Sequence, residues 1–403
     1  MIFAASAAVL AALGLILHKS SLLDKAARAP VMLIVGGACA SMLYRSAGAP
    51  GAPAEWIAAS ADAGLAALGF VAAAQFRVSR LATVCPASFR LTIGGAPLFL
   101  VLCGLAAFIL EPNLSLSAAF LLAGALMLNG AAFDRRAVAD APAPAVIKGA
   151  VRLESAAVLA LGLPVAVLLE AAATSAPENM PAAAPLFEAS FSALCAFAIG
   201  GLSGLASAMA GNQLKNKKKR IPLAVLAGSV AALSAIPIGA HPVIAAVAAG
   251  LIWGEETNAL STTRVRMRRI VEQCVNPIAY LGFGLLLAPQ LLQADLLSVV
   301  FAIAVVTFLR AGPRLASLGA TTLAKENQMF LAWFGGAPGA GSALYLMSLF
   351  DAPSIAAQDA ILTIGALSVV FGVVAARATS RPLLKLLLKE SALARKRAMY
   401  AAS

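Results

Sequence analysis

Arg152-Leu153-Glu154-Ser155-Ala156-Ala157-Val158-Leu159-Ala160-Leu161-Gly162-Leu163-Pro164 carries one acid, Glu154, into the start of a long apolar run. An ionisable side chain there is costly in hydrocarbon, so it marks either an ion path or a structural charge with a partner. The surroundings settle the class. Hydrophobic residues make up 61% of the 403 and charged residues 12%, about half the charged share of a soluble domain. The chain reads as an all-α polytopic membrane protein.

A net charge of +12 would suit nucleic acid, but the basic residues sit in short loops between apolar runs and aromatics are only 6%. A membrane surface accounts for that arrangement, and no nucleic-acid partner is expected. Cys39, Cys85, Cys103, Cys195 and Cys274 are odd in number and scattered, giving neither a disulfide frame nor a metal-ligand spacing. There is no nucleotide loop, metal cluster or nucleophile-base set, so neither an enzyme nor a cofactor is expected.

Spanning helices need about 20 apolar residues, fewer where they are broken or sheltered by protein. Thirteen segments emerge. The first seven are Ile2–Leu17, Pro30–Tyr44, Trp56–Phe76, Phe89–Leu110, Leu114–Phe133, Val151–Leu169 and Phe187–Met209. The other six are Ile221–Ile236, Pro242–Trp253, Ile270–Leu291, Leu296–Arg310, Lys325–Phe350 and Ala357–Ala376. No positive stretch precedes segment 1 and Lys19 follows it, so it reads as a retained helix.

Of the 30 Lys and Arg residues, all but Arg45 fall in the loops after segments 1, 3, 5, 7, 9 and 11, at the segment ends that flank those loops, or in the tail from Arg377. Basic residues are retained in the cytoplasm. The expectation is an inner (cytoplasmic) membrane protein with its N-terminus outside and its C-terminus inside. The run Lys215–Arg220 reads as a topology anchor, and Arg381–Tyr400, mixing leucines with basic residues, as a helix lying on the inner surface.

Segments 1 to 6 and 8 to 13 then form two inverted six-helix halves joined by segment 7. In such transporters the binding site lies where corresponding helices are interrupted. Segment 5 contains Leu126-Met127-Leu128-Asn129-Gly130, and segment 12 contains Trp333-Phe334-Gly335-Gly336-Ala337-Pro338-Gly339-Ala340-Gly341-Ser342. Glycine and proline weaken both helices there, leaving backbone groups to line a cavity.

These residues resemble the monovalent cation/proton antiporters of the NhaP type, within the cation:proton antiporter superfamily. The resemblance covers about Ala61 to Leu388. Trp333-Phe334-Gly335 followed by Gly339 to Tyr345 is similar to the family's Trp-Phe-Gly-Pro-Arg-Gly-Ile-Gly-Ser run. Pro242 to Gly250 resembles its small-residue helix, and Glu154, Ser155, Leu161, Leu163 and Pro164 fall in register with its Glu-Ser-Gly-Leu-Asn-Asp-Gly-Leu-Ala-Leu-Pro.

In the same register the family's Asn-Asp pair falls on Val158 and Leu159, its Thr-Asp-Pro near Leu128, Asn129 and Gly130, and its unwound-stretch arginine at Ala337 or Pro338. The ion-binding acids are thus replaced at Asn129, Val158 and Leu159. That matters because a dehydrated cation needs a compensating charge, and a carboxylate that holds either proton or cation is what couples the two flows. None of the eighteen acids falls at mid-depth by this reading.

The resemblance implies a secondary transporter working by monovalent cation/proton antiport, paired as a homodimer in the lipid bilayer. The alternatives are a transport-incompetent homologue acting as membrane scaffold or regulatory partner, and a carrier of another solute. It also implies a division of labour: residues 1–80 scaffold and dimer interface, 81–175 core, 176–220 linker helix, 221–292 scaffold, 293–380 core, and 381–403 a basic cytoplasmic tail. Asn129, Gly130, Ser155, Ser342 and Tyr345 are the ion-path candidates. Thr307 has the same double reading as a buried polar group, and Glu272, Gln273 and Asn276 share a helical spacing on segment 10. Glu154 is expected to pair with Arg310, which ends segment 11 on the same side and matches a family arginine, as a structural ion pair joining the halves.

Overall fold

The computed structural model describes residues 25–47, 54–128, 145–174, 184–214, 220–257, 261–291, 293–321, 323–351 and 357–375, and singly 355, 379 and 385. Helices occur at segments 2 to 13 of the expected set; segment 1 lies outside the described residues. In chain order they are Lys25–Ser46, Ala54–Ala73, Pro86–Leu110, Leu116–Met127, Ala145–Ala173, Ala184–Gln213, Arg220–Ile238, Pro242–Glu256, Ser261–Leu291, Leu296–Leu318, the pair Lys325–Phe334 and Ala340–Ser348, and Gln358–Ala375. Among the described residues, 9 are long and apolar enough to cross a membrane.

Local chemistry explains the boundaries. Ser115 caps segment 5 by accepting from the Ala118 N–H at 3.2 Å, and Asp295 caps segment 11 by accepting from the Ser298 N–H at 2.8 Å. Proline opens segments 4 and 9, where its missing N–H costs nothing. A tight turn at Ile236–Ile238 separates segments 8 and 9, around the Pro237 boundary.

Segments 6, 10 and 11 outrun their apolar cores. Segment 10 starts at Ser261 and segment 11 ends at Leu318, so basic residues that look like loop are helical. Sheltered by neighbouring helices, arginines sit inside a membrane helix when their guanidinium groups find carbonyls or carboxylates.

Segments 4 and 11 each contain a π turn, at Leu91–Gly95 and Val305–Leu309. Such turns are rare, and these two interrupt helices that an inverted repeat makes equivalent. The Arg310–Leu318 stretch of segment 11 packs directly on the π turn of segment 4.

Segment 3 lies at the centre, touching segments 6, 9 and 10 and the second half of segment 12. Segment 2 packs on segment 10, and segment 7 on segment 9. Trp253, Tyr280, Phe283, Phe301, Phe330 and Tyr345 are fully buried. Phe187, Phe191, Leu194, Leu202 and Met209 of segment 7 point outward, as apolar side chains facing lipid do.

Candidate functional site

The end of segment 5 meets the break in segment 12. Segment 5 stops at Met127, Leu128 turns extended, and the Leu128 carbonyl accepts a hydrogen bond from Ser342 Oγ. Segment 12 stops at Phe334 and resumes at Ala340. Between them Gly336 has φ 77, a left-handed conformation that favours glycine. At Gly335 a Cβ would lie 2.4 Å from Arg314 Nη2 and 2.7 Å from Glu154 Oε2, so any larger residue would have to push those two groups aside.

Those two atoms belong to the polar centre of the crossing. Glu154 is fully buried, and Arg314 grips it with both terminal nitrogens, Nη1 to Oε1 and Nη2 to Oε2, the latter at 2.8 Å. Arg314 also donates from Nε to the Ala332 carbonyl at 3.1 Å and from Nη2 to the Leu331 carbonyl at 2.9 Å. Arg310, one turn earlier, donates from Nη2 to the Trp333 carbonyl at 2.6 Å and lies 5.9 Å from the centre of the Trp333 ring.

The Leu331 carbonyl accepts the Gly335 N–H at 3.2 Å, but carbonyls in the last turn before the break lack the usual successor N–H, and the C-terminal end of a half-helix carries partial negative charge. Two arginines from segment 11 satisfy both needs. The expected partner of Glu154 is therefore corrected by one turn, from Arg310 to Arg314. Segment 11 runs on to Leu318 instead of ending at Arg310, which puts Arg314 inside the bundle on the same helical face.

Asn129 and Gly130 lie outside the described residues. Ser155 is buried beside Glu154 and its Oγ has no hydrogen-bond partner. Val158 and Leu159, where the family's acids would stand, are buried apolar side chains. Ser342 closes the crossing. Thr307 donates to its own helix, to the Ile303 carbonyl at 2.7 Å. On segment 10, Glu272 is bound by Arg268 at 2.6 Å, whereas Gln273 faces outward and Asn276 is half-buried.

Tyr345 reaches a second set of groups that the sequence did not single out. Its hydroxyl is shared between the Ala166 carbonyl at 2.7 Å and Glu170 Oε2 at 2.9 Å, and Asp62 of segment 3 is close enough to act electrostatically on Glu170. Asp62 and Glu170 come from different segments, so only packing unites them.

Beyond the spans, segments 4 and 11 touch through another acid pair. Burial, with the nearby Asp295 charge, raises the Glu111 pKa, against which a Ser298 hydroxyl at 3.5 Å from Oε1 works. Asp295 is shifted down by hydrogen bonds from the Ser298 side chain and N–H. Among the described residues no group of three His, Cys, Asp or Glu side chains is placed to hold a metal ion.

The fold is similar to that of the sodium proton antiporter MjNhaP1 from Methanocaldococcus jannaschii at pH 8, with a TM-score of 0.70 over 96% of this chain and 99% of that one. An electron-microscopy structure of the same antiporter gives 0.58 over 95% and 91%. Identities are 16% and 15%, so the likeness is one of fold. No curated protein sequence matches the chain. The transmembrane domain described as "Sodium/hydrogen exchanger" matches residues 6–386, nearly the whole length, and the chain belongs to that family.

Proposed function

We propose that this protein is a secondary transporter exchanging a monovalent cation for protons. The observation that carries the reading is the contact of the end of segment 5 with the break in segment 12 through Leu128 and Ser342, with a buried charge beside it, in a chain of the exchanger family. Half-helix ends and unwound backbone at such a crossing are what secondary transporters use to bind ions.

The carboxylate that couples the flows cannot come from positions 158 and 159, which are apolar, and Glu154 is committed to Arg314. Asp62 and Glu170 are carboxylates inside spanning segments that belong to neither ion pair. On this reading they alternate between proton and cation, with Tyr345 holding the Glu170 carboxylate in place. They lie between segment 3, in the scaffold of segments 1–3 and 8–10, and the core of segments 4–6 and 11–13, the seam across which the core would move. On the same reading two protomers pair through the scaffold, and the basic loops support a cytoplasmic C-terminus.

A second reading, a transport-incompetent homologue retained as scaffold or regulatory partner, draws its support from Val158 and Leu159. One assay separates them. In proteoliposomes with a pH-sensitive dye, pulses of sodium, potassium or lithium collapse an imposed proton gradient if antiport operates, and Glu170→Gln or Asp62→Asn abolishes the response. Silence of the wild type from pH 5 to 9 establishes the second reading. A response that survives both substitutions removes Asp62 and Glu170 from the mechanism.

A further inference from the structure

At the end of the bundle where the basic loops lie, segments 3, 9 and 10 converge on the carbonyl of Thr257. Arg77 donates to it from Nη2 at 3.1 Å and Arg264 from Nη2 at 3.3 Å, the latter also reaching the Gly254 carbonyl at 2.8 Å. Two guanidinium groups crowd one neutral acceptor and act on each other electrostatically. Glu255 offsets one of the two charges, with Oε1 taken by the Ser79 hydroxyl.

The cluster is unsaturated. Thr257 is 0% exposed and its Oγ1 has no hydrogen-bond partner; Arg264 is 8% exposed and its Nε has none. Glu255 Oε2 is buried without a partner as well, so the cluster holds two guanidinium groups against one carboxylate; buried polar atoms in native proteins are nearly always satisfied, and the two orphaned groups on the arginine side, with one positive charge left over, call for an acceptor that is itself negative. Water would satisfy the donors and leave the charge. A metal cation would be repelled. An oxyanion does both.

We propose that Arg77, Arg264 and Thr257 bind the phosphate of an anionic phospholipid headgroup. Arginine forks suit phosphate oxygens, and basic pockets between spanning helices at the cytoplasmic side take acidic headgroups. Arg77 is half-buried and opens the cluster to the surface, where the neighbouring Val78 is 57% exposed and offers apolar area to an acyl chain. The lipid occupies a site on the scaffold, separate from the helix crossing, and its presence does not depend on the transport reading.

Native mass spectrometry and thermal unfolding of the full chain in detergent test this, with phosphatidylglycerol, phosphatidylcholine and inorganic phosphate as probes. Phosphatidylglycerol binds the wild type and raises its unfolding temperature, phosphatidylcholine does not, and Arg77→Gln weakens the dissociation constant about tenfold. Thr257→Val is the sharper variant. It replaces a hydroxyl without partners by a methyl of the same shape, so the lipid-free protein unfolds at an equal or higher temperature while the lipid-dependent shift disappears. Thr257→Ser keeps the shift. Equal binding of phosphatidylglycerol to wild type and Thr257→Val overturns the site; stabilisation by inorganic phosphate matching that by the lipid overturns the lipid as its source.

Discussion

Glu154 and Arg314 are the residues on which the crossing depends, since each is buried and each would be left charged without the other. Breaking a buried pair by removing one partner typically costs about 3–5 kcal/mol. Glu154→Gln therefore lowers the unfolding temperature in detergent, and Arg314→Gln lowers it further because the Ala332 carbonyl loses its arginine donor and the Leu331 carbonyl keeps only the Gly335 N–H. Combining the two substitutions costs less than their sum, as a double-mutant cycle by thermal unfolding will show. Strict additivity would mean the two groups do not act as a pair. That Glu154 needs an arginine was legible in the chain, because a lone acid inside an apolar helix has few other fates. Which arginine was not. Counting apolar residues stops at the first charge, so Arg310 looks like the end of segment 11, whereas the helix continues for two more turns and the π turn at Val305–Leu309 alters which face follows it.

Helix ends carry the rest of the argument at the level of elements. The glycine-rich run after Phe334 announces a break, and segment 12 does stop there. What closes the break, two arginines reaching across from segment 11, leaves no local trace because it pairs residues about twenty positions apart. The same holds for Ser342, which bonds Leu128 over 214 positions. Ser342→Ala leaves that carbonyl buried without this donor, at about 1–3 kcal/mol. The expected result is a lower unfolding temperature together with slower exchange; lost stability with unchanged exchange would make the bond purely structural. At the other end of segment 11, Asp295 caps the helix with a depressed pKa. A depressed acid stabilises the fold above its unfolded pKa near 3.8 and stops doing so as pH falls through its lower folded value. Asp295→Ala consequently unfolds earlier than wild type at pH 6 to 8, and the gap closes below about pH 4. A gap independent of pH would assign the effect to helix propensity instead of to the charge.

At the scale of the molecule, the uneven distribution of basic residues and the inverted halves were readable from the chain, but which side chains would line the proposed seam between core and scaffold was not, because alanine and glycine faces look alike on every helix. On the division proposed above, segment 3 forms one wall of that seam. Gly64 lies in it, where a Cβ would come 3.2 Å from both terminal carbons of Leu344 in segment 12 and 3.2 Å from Val275 Cγ1 in segment 10. All three are flexible side-chain tips, so a single methyl is absorbed by shifts of a few tenths of an ångström, and Gly64→Ala within a helix gains about 0.5–1 kcal/mol of propensity in partial compensation. Folding should change little. Movement should change more, because interfaces of small residues slide only while their backbones pass without interlocking side chains. Gly64→Ala is expected to unfold within a few degrees of wild type yet exchange cations for protons several-fold more slowly in proteoliposomes, and Gly64→Leu to stop exchange. If both variants fold and exchange at the wild-type rate, segment 3 and the second half of segment 12 travel together, and the boundary between the moving and fixed parts lies elsewhere in the bundle.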